Sequence, residues 1–297
     1  TGEDSVVAHW LRLGADGFRL DVADELPNEF LDELRVSLHA ASSEQPLIIG
    51  EVWENAATKV AYTKRRRYLQ GGQLDSVMNY PLRKGILAFV LKKDAASLAD
   101  ILKSIYSSYP KPVCDSLMNI LGTHDTERVL TVLGKQNAEE DRSVGSALAQ
   151  KRLSDEPREK AIRLLKLAAA LQFTVYGVPS VYYGDEAGME GYRDPFCRLP
   201  YPWGREDSQL IGYYEKPGRL RDENRDVLAE GEFYVDHAKG GVIAYTRQSE
   251  SGEIRVIANA GGRAVSYALE GEWLDLMSGE RYSGRIAPQS AVVLRRQ

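Results

Sequence analysis

Five apolar runs alternate with stretches of helical spacing along the first two-thirds of the chain, and this order constrains the fold more than any other feature. The runs cover residues 18–22, 47–53, 74–80, 117–121 and 179–186. In the first, Phe18, Leu20 and Val22 alternate with Arg19 and Asp21, so a strand buries one set and turns the other away. The second, 47–53, is almost continuously apolar, as strands covered on both faces are. Between the runs, Val6, Val7, Trp10 and Leu11 follow a helical period over 5–13, with Gly14 placed to end the helix. Pro27 can open the next helix, whose expected buried stripe is Phe30, Leu31, Leu34 and Leu38. Further helices are expected over 56–68, 82–91, 95–109 and 156–173, with a polar stretch over 134–154. Strands alternating with helices in this way imply β-α-β units and a parallel sheet.

The texture then changes. Leu210, Tyr213, Tyr214 and Leu220 mark a charged helix over 207–227, which Pro217-Gly218 is expected to kink or break. From about Gly231, short alternating runs such as 242–245, 254–257 and 291–294 are separated by turn residues. They read as a small antiparallel β-domain.

Composition narrows the function classes. A chain of 297 residues that is 43% apolar can bury a large core, and its net charge of −5 argues against nucleic acid or a membrane surface as partner. Arg65-Arg66-Arg67 is the one basic cluster, expected on a solvated helix face. Cys114 and Cys197 have neither metal-ligand spacing nor the pattern of a disulfide framework. Residues 164–183 are too interrupted, by Lys166, Gln172, Gly177 and Pro179, to span a membrane. A cytoplasmic location is expected. The chain opens at Thr1 without an initiator Met, which suggests a piece of a longer protein.

The polar residues fall where a parallel barrel does chemistry. Asp21, Glu51 and the pair His124-Asp125 lie at or just past the C-terminal ends of three expected strands, which in a barrel open on one face. Singly, each has a bland reading: a salt-bridged Arg19–Asp21 pair, a helix cap at Glu51, a satisfied core histidine at His124. Together they fit glycoside hydrolysis, in which one carboxylate attacks the anomeric carbon and another protonates the leaving oxygen. No Ser-His-Asp set, phosphate loop or zinc spacing competes with this.

At these residues the sequence resembles the α-amylase superfamily of retaining α-glucan enzymes. Gly-Phe-Arg-Leu-Asp-Val-Ala-Asp-Glu at 17–25 is similar to the family's fourth-strand motif, Gly-Glu-Val-Trp at 50–53 to the fifth, and Thr-His-Asp at 123–125 to the seventh. The stretch 177–186, Gly-Val-Pro-Ser-Val-Tyr-Tyr-Gly-Asp-Glu, resembles the eighth strand. Met78-Asn79-Tyr80, the run 121–128 and Asp194-Pro195-Phe196-Cys197-Arg198 look most like the neopullulanase and cyclomaltodextrinase branch. Asp24 departs from that branch, where the matching residue is usually Asn.

The resemblance implies Asp21 as nucleophile, Glu51 as general acid/base and Asp125 as the third catalytic carboxylate, with Arg19 and His124 binding substrate. It implies an α/β fold: residues 1–229 as the C-terminal five-eighths of a (β/α)8 TIM barrel, strands four to eight, followed by an antiparallel all-β sandwich domain at 230–297. The family's first three strands and its third-strand motif have no counterpart, so the N-terminal part of the barrel is an expected partner and the isolated fragment is expected to be inactive. The implied function is retaining hydrolysis of α-1,4-linked maltodextrins, cyclodextrins or pullulan. An α-1,6-glucosidase and a non-catalytic sugar-binding relative are the alternatives. No cofactor is expected in this chain, calcium being a property of the missing portion, and a homodimer is left open.

Overall fold

The computed structural model describes residues 2, 5–42, 44–135, 145 and 147–297. Most of the polar stretch expected over 134–154, namely 136–144 and 146, lies outside the described residues. The chain divides into two compact units, one built from 1–82, 101–119 and 176–178, the other from 83–100, 120–175 and 179–297.

In the first unit, helix α1 (Val6–Arg12) begins at Ser5, whose hydroxyl accepts from Ala8 N–H. Strand β1 (Gly17–Leu20) follows, then α2 (Asn28–Ala41) and β2 (Leu47–Gly50). The strands run parallel with Gly17 opposite Leu47 and Leu20 opposite Gly50. They approach closely at the start, where a Cβ on Gly17 would lie 2.2 Å from the Leu47 carbonyl oxygen. Helix α2 buries Leu31, Leu34 and Leu38 as its period requires, but Phe30 is 47% exposed. Arg35 takes the place in the stripe expected of Phe30. Its guanidinium donates to the carbonyls of Pro46 and Gln73 and pairs with Asp75 at 2.7 Å. A buried cation is tolerable here because carbonyls and a carboxylate satisfy it.

The expected helix over 56–68 does not form. That segment holds a two-stranded hairpin, β3 (Val60–Ala61) with β4 (Lys64–Arg65), turning through Tyr62 and Thr63 at positive φ. The basic cluster is accordingly not on a helix face. Arg66 is buried, bonding the Tyr68 hydroxyl and the carbonyls of Ala23 and Leu26, while Arg67 pairs with Asp32. Apart from Tyr68, these partners lie 35 to 43 residues away in sequence, which is why composition alone misleads.

Strand β5 (Ser76–Val77) joins the sheet in the order β1-β2-β5, all parallel. Helices α3 (Tyr80–Lys92), α4 (Ala95–Ser108) and α5 (Lys111–Asp115) precede β6 (Met118–Ile120). A parallel bridge joins Met78 to Met118, and β6 pairs in turn with β7 (Val178–Ser180). The five expected strands thus exist, each shorter than the apolar run that announces it.

In the second unit, α6 (Val129–Gly134), α7 (Ala147–Gln150) and the long α8 (Asp155–Thr174) are followed by α9 (Ser208–Glu223) and α10 (Arg225–Leu228). Helix α9 runs on through Pro217 rather than breaking there. Pro217 is buried in the same stripe as Leu210, Tyr214 and Leu220, so packing against α8 offsets the hydrogen bond that the ring removes. Beyond it, six antiparallel strands form a sheet: β8 (Glu232–Lys239), β9 (Val242–Ser249), β10 (Gly252–Asn259), β12 (Trp273–Asp275), β13 (Glu280–Arg281) and β15 (Ser290–Arg296), in the order β13-β12-β15-β10-β9-β8. A small pair, β11 (Val265–Ser266) with β14 (Arg285–Ile286), completes the all-β region, whose core is Ala244, Ile257, Trp273, Ile286 and Leu294. Fully buried Arg247 ties this sheet to the helices, donating to the carbonyls of Thr174, Leu228 and Gly231. Among the described residues, no helix is long and apolar enough to cross a membrane.

Candidate active site

In the first unit, Asp21 follows β1 by one residue and Glu51 follows β2 by one, so the parallel pairing sets their backbones side by side. The grip is tight. Glu51 N–H donates to the Leu20 carbonyl, and Ala23 N–H donates to the Glu51 carbonyl. Arg19 spans the two acids: one guanidinium nitrogen lies 2.5 Å from Asp21 Oδ1, the other 3.1 Å from Glu51 Oε2, and Nε faces Met78 Sδ at 3.3 Å. Glu51 is 5% exposed and also accepts from Val22 N–H at 2.9 Å and Trp53 Nε1–H at 3.0 Å. The Asp21 carboxylate, by contrast, is 72% exposed. One acid is held by donors on both oxygens and the other is presented outward.

Val22 adopts φ 43°, a left-handed conformation that a β-branched residue enters at a cost of roughly 1–3 kcal/mol. That conformation aims its N–H at Glu51, so the strain lies in the residue that links Asp21 to Glu51. Trp53 stacks on Tyr80 with ring centroids 4.1 Å apart, which holds the indole that donates to Glu51. Asp24 pairs with Lys59 at 2.7 Å and accepts from the Tyr68 hydroxyl at 2.8 Å, an arrangement that uses its charge. Burial first, and then the hydrogen bond to Asp24, push the Tyr68 hydroxyl above its ordinary pKa, so it stays a donor.

In the second unit, His124 Nε2 lies 3.1 Å from Asp125 Oδ2. Asp125 N–H donates to the Thr123 hydroxyl, and Arg198 Nη2 lies 3.3 Å from Asp125 Oδ1. Arg198 is itself held by Asp194 at 2.5 Å, and the Cys197 thiol donates to the His124 carbonyl. Beneath this loop sits a fully buried ion pair, Arg128 with Asp185 at 3.2 Å. Arg128 lies over the rings of Tyr182 and Tyr183, at 4.1 and 4.5 Å, and donates to the Tyr183 carbonyl. Asp185 packs on Gly122, where a Cβ would meet its Oδ2 at 2.2 Å. Burial raises the Asp185 carboxyl to about 7 despite the opposing pull of Arg128.

The structure therefore brings Arg19, Asp21 and Glu51 together in one unit, and His124 and Asp125 together in the other. Sequence reasoning does not single out Arg128, Asp185 or Arg198, although each sits in a stretch that resembles the family. Only the distances reveal their parts. Among the described residues, no group of three His, Cys, Asp or Glu side chains is placed to hold a metal.

Comparison with known proteins gives the family. The pattern that defines the alpha amylase catalytic domain family matches residues 3–232, so the chain belongs to that family. It is 37% identical over 268 residues to an amylopullulanase of Thermoanaerobacter thermohydrosulfuricus, a match covering 84% of this chain and 17% of that protein. It is 32% identical over 290 residues to a cyclomaltodextrinase of Geobacillus thermopakistaniensis, covering 94% of this chain and 43% of the relative. Among solved structures, the type III pullulan hydrolase from Thermococcus kodakarensis superposes with a TM-score of 0.79 at 27% identity, over 97% of this chain and 46% of that one. The chain spans less than half the length of these relatives.

Proposed function

We propose that this chain carries the acids of a retaining α-glucan hydrolase acting on α-1,4-linked maltodextrins, cyclodextrins or pullulan. The observation that carries the reading is the single guanidinium of Arg19 shared between an outward Asp21 and a nearly buried Glu51. Two carboxylates sharing one guanidinium suit direct attack, a reaction for which a separation of about 5–5.5 Å is characteristic. In the first step a carboxylate oxygen of Asp21 bonds to C1 of the glucose while the glycosidic C–O bond breaks and its oxygen takes the Glu51 proton. In the second, Glu51 removes a proton from water as the water oxygen replaces Asp21 at C1, regenerating both acids. His124 is proposed to contact the sugar in the cleaved subsite and Asp125 to assist the transition state, with Arg198 fixing Asp125. The boundary between barrel and sandwich is placed at 229/230, a reading supported by the family match ending at 232. The five strands are taken as part of an eight-stranded barrel, with the remaining strands supplied from outside these residues.

Paired substitutions in the complete enzyme test the reading. Asp21→Asn keeps the shape and loses the nucleophile, so turnover on maltodextrin should vanish while oligosaccharide binding persists. Glu51→Gln should cost roughly 10²- to 10⁴-fold on maltodextrin and far less on an aryl glycoside with an acidic leaving group. Turnover of Asp21→Asn within about tenfold of the unsubstituted enzyme, a barrier change of only ~1.4 kcal/mol, would refute the assignment. Product analysis on panose and maltotriose then separates α-1,4 from α-1,6 cleavage.

A further inference from the structure

The all-β region carries charged residues where its strand period calls for core. On β10, Ile257 faces the core, and the residues two and four positions before it, Arg255 and Glu253, continue the same face. On β15, Leu294 is core and Arg296 continues its face, in register with the core residue Trp273 of β12. The apolar layer thus ends in a polar mouth. Tyr267 and Glu270, from the segment after β11, close it into a cavity of about 610 Å³, within the range of small-molecule sites.

Three features of the mouth point to a ligand class. Arg255 lies over the ring of Trp273, 5.1 Å from its centroid, so a planar fork of donors is pre-set against the indole. Its Nε is buried and donates to no group among the described residues, an expensive state for a donor unless something else accepts from it. The charges cancel, Arg255 and Arg296 against Glu253 and Glu270, so no ionic ligand is favoured over a neutral one. Planar donors and acceptors beside an aromatic ring, with no net charge, suit vicinal hydroxyls on a pyranose ring.

We propose that this sandwich mouth is a second, non-catalytic binding site for α-glucan chains, with Arg255, Glu253 and Tyr267 as its principal contacts. The choice of α-glucan among neutral polyols rests on the hydrolase reading above. The site would hold a polymer on the enzyme while hydrolysis proceeds elsewhere.

The test is electrophoresis of the complete enzyme in native gels containing amylopectin, read as a dissociation constant. Arg255→Ala and Tyr267→Ala should each weaken retardation about tenfold or more, with kcat/KM on maltotriose unchanged. Glu253→Gln, nearly isosteric at a partly exposed position, should weaken it several-fold and carries the test if the larger changes prevent folding. Unchanged retardation in the folded variants overturns the proposal, as does an equal loss of maltotriose cleavage. If the unsubstituted enzyme cleaves no maltodextrin, the hydrolase reading fails, and the retardation series still reports on the mouth.

Discussion

Asp185 illustrates how a single residue beneath a candidate site can make the fold sensitive to pH. Its carboxyl faces Arg128 directly and also feels Glu186 and Arg83, while the buried Tyr214 hydroxyl lies within its field. Because burial raises its folded-state pKa to about 7 from an ordinary 3.8, the folded protein holds a proton that the unfolded chain has released. The stabilisation is present in full below about pH 4 and is lost as pH rises through about 7. Asp185→Asn keeps the volume at Gly122 and removes the titration. Urea unfolding at pH 5 and pH 7 should therefore show a smaller fall in stability with rising pH in the variant. An identical fall in both proteins would mean that Asp185 is charged throughout.

At the scale of elements, the pairing of β1 with β2 positions the Asp21–Glu51 pair, and Gly17 permits it. A Cβ there would collide with the Leu47 backbone, which cannot swing aside as a side chain could. Gly17→Ala is expected to cost about 1–3 kcal/mol or more, seen as a lower urea midpoint, and to disturb the register that sets Asp21 beside Glu51. A midpoint within error of the unsubstituted chain would show that the strands separate easily. Helix α9 teaches the opposite lesson: Pro217 is a breaker by local rules, yet its ring fills a buried position at helical spacing between Tyr214 and Leu220. The 56–68 segment fails as a helix for a related reason. Arg66 reaches acceptors at Ala23 and Leu26 that a helical course gives it no cause to meet.

For the whole molecule, the proposed barrel needs strands beyond β1, β2, β5, β6 and β7. A parallel sheet with unpaired edges exposes ladder groups and apolar faces that other strands normally cover. The expected outcome is that residues 1–297 alone cleave maltodextrin poorly, and that mixing them with a separately produced segment carrying the remaining strands restores cleavage. Full activity of the isolated chain as a monomer would contradict the barrel reading. Misplaced sugar contacts alone can cost on the order of 10²-fold, so partial activity would point to incomplete positioning rather than absent acids.

What the amino-acid order determined is what depends on period and neighbourhood. Alternation placed Arg19 and Asp21 on one side of a strand and Phe18 and Leu20 on the other, apolar runs marked all five strands, and the carboxylates stood out because each closes such a run. These are local properties, legible within a window of about ten residues. The tertiary structure decided everything that joins distant positions: Arg19 bridging to Glu51, Val22 forced left-handed to donate to that same acid, Arg198 fixing Asp125, and Arg128 buried against Asp185. These partners stand between 29 and 73 positions apart in the chain. No local preference encodes such contacts. They arise only when strand register and packing bring the chain back on itself, and that register is also what turns Arg255, an ordinary charged residue in a strand, into the lining of a cavity.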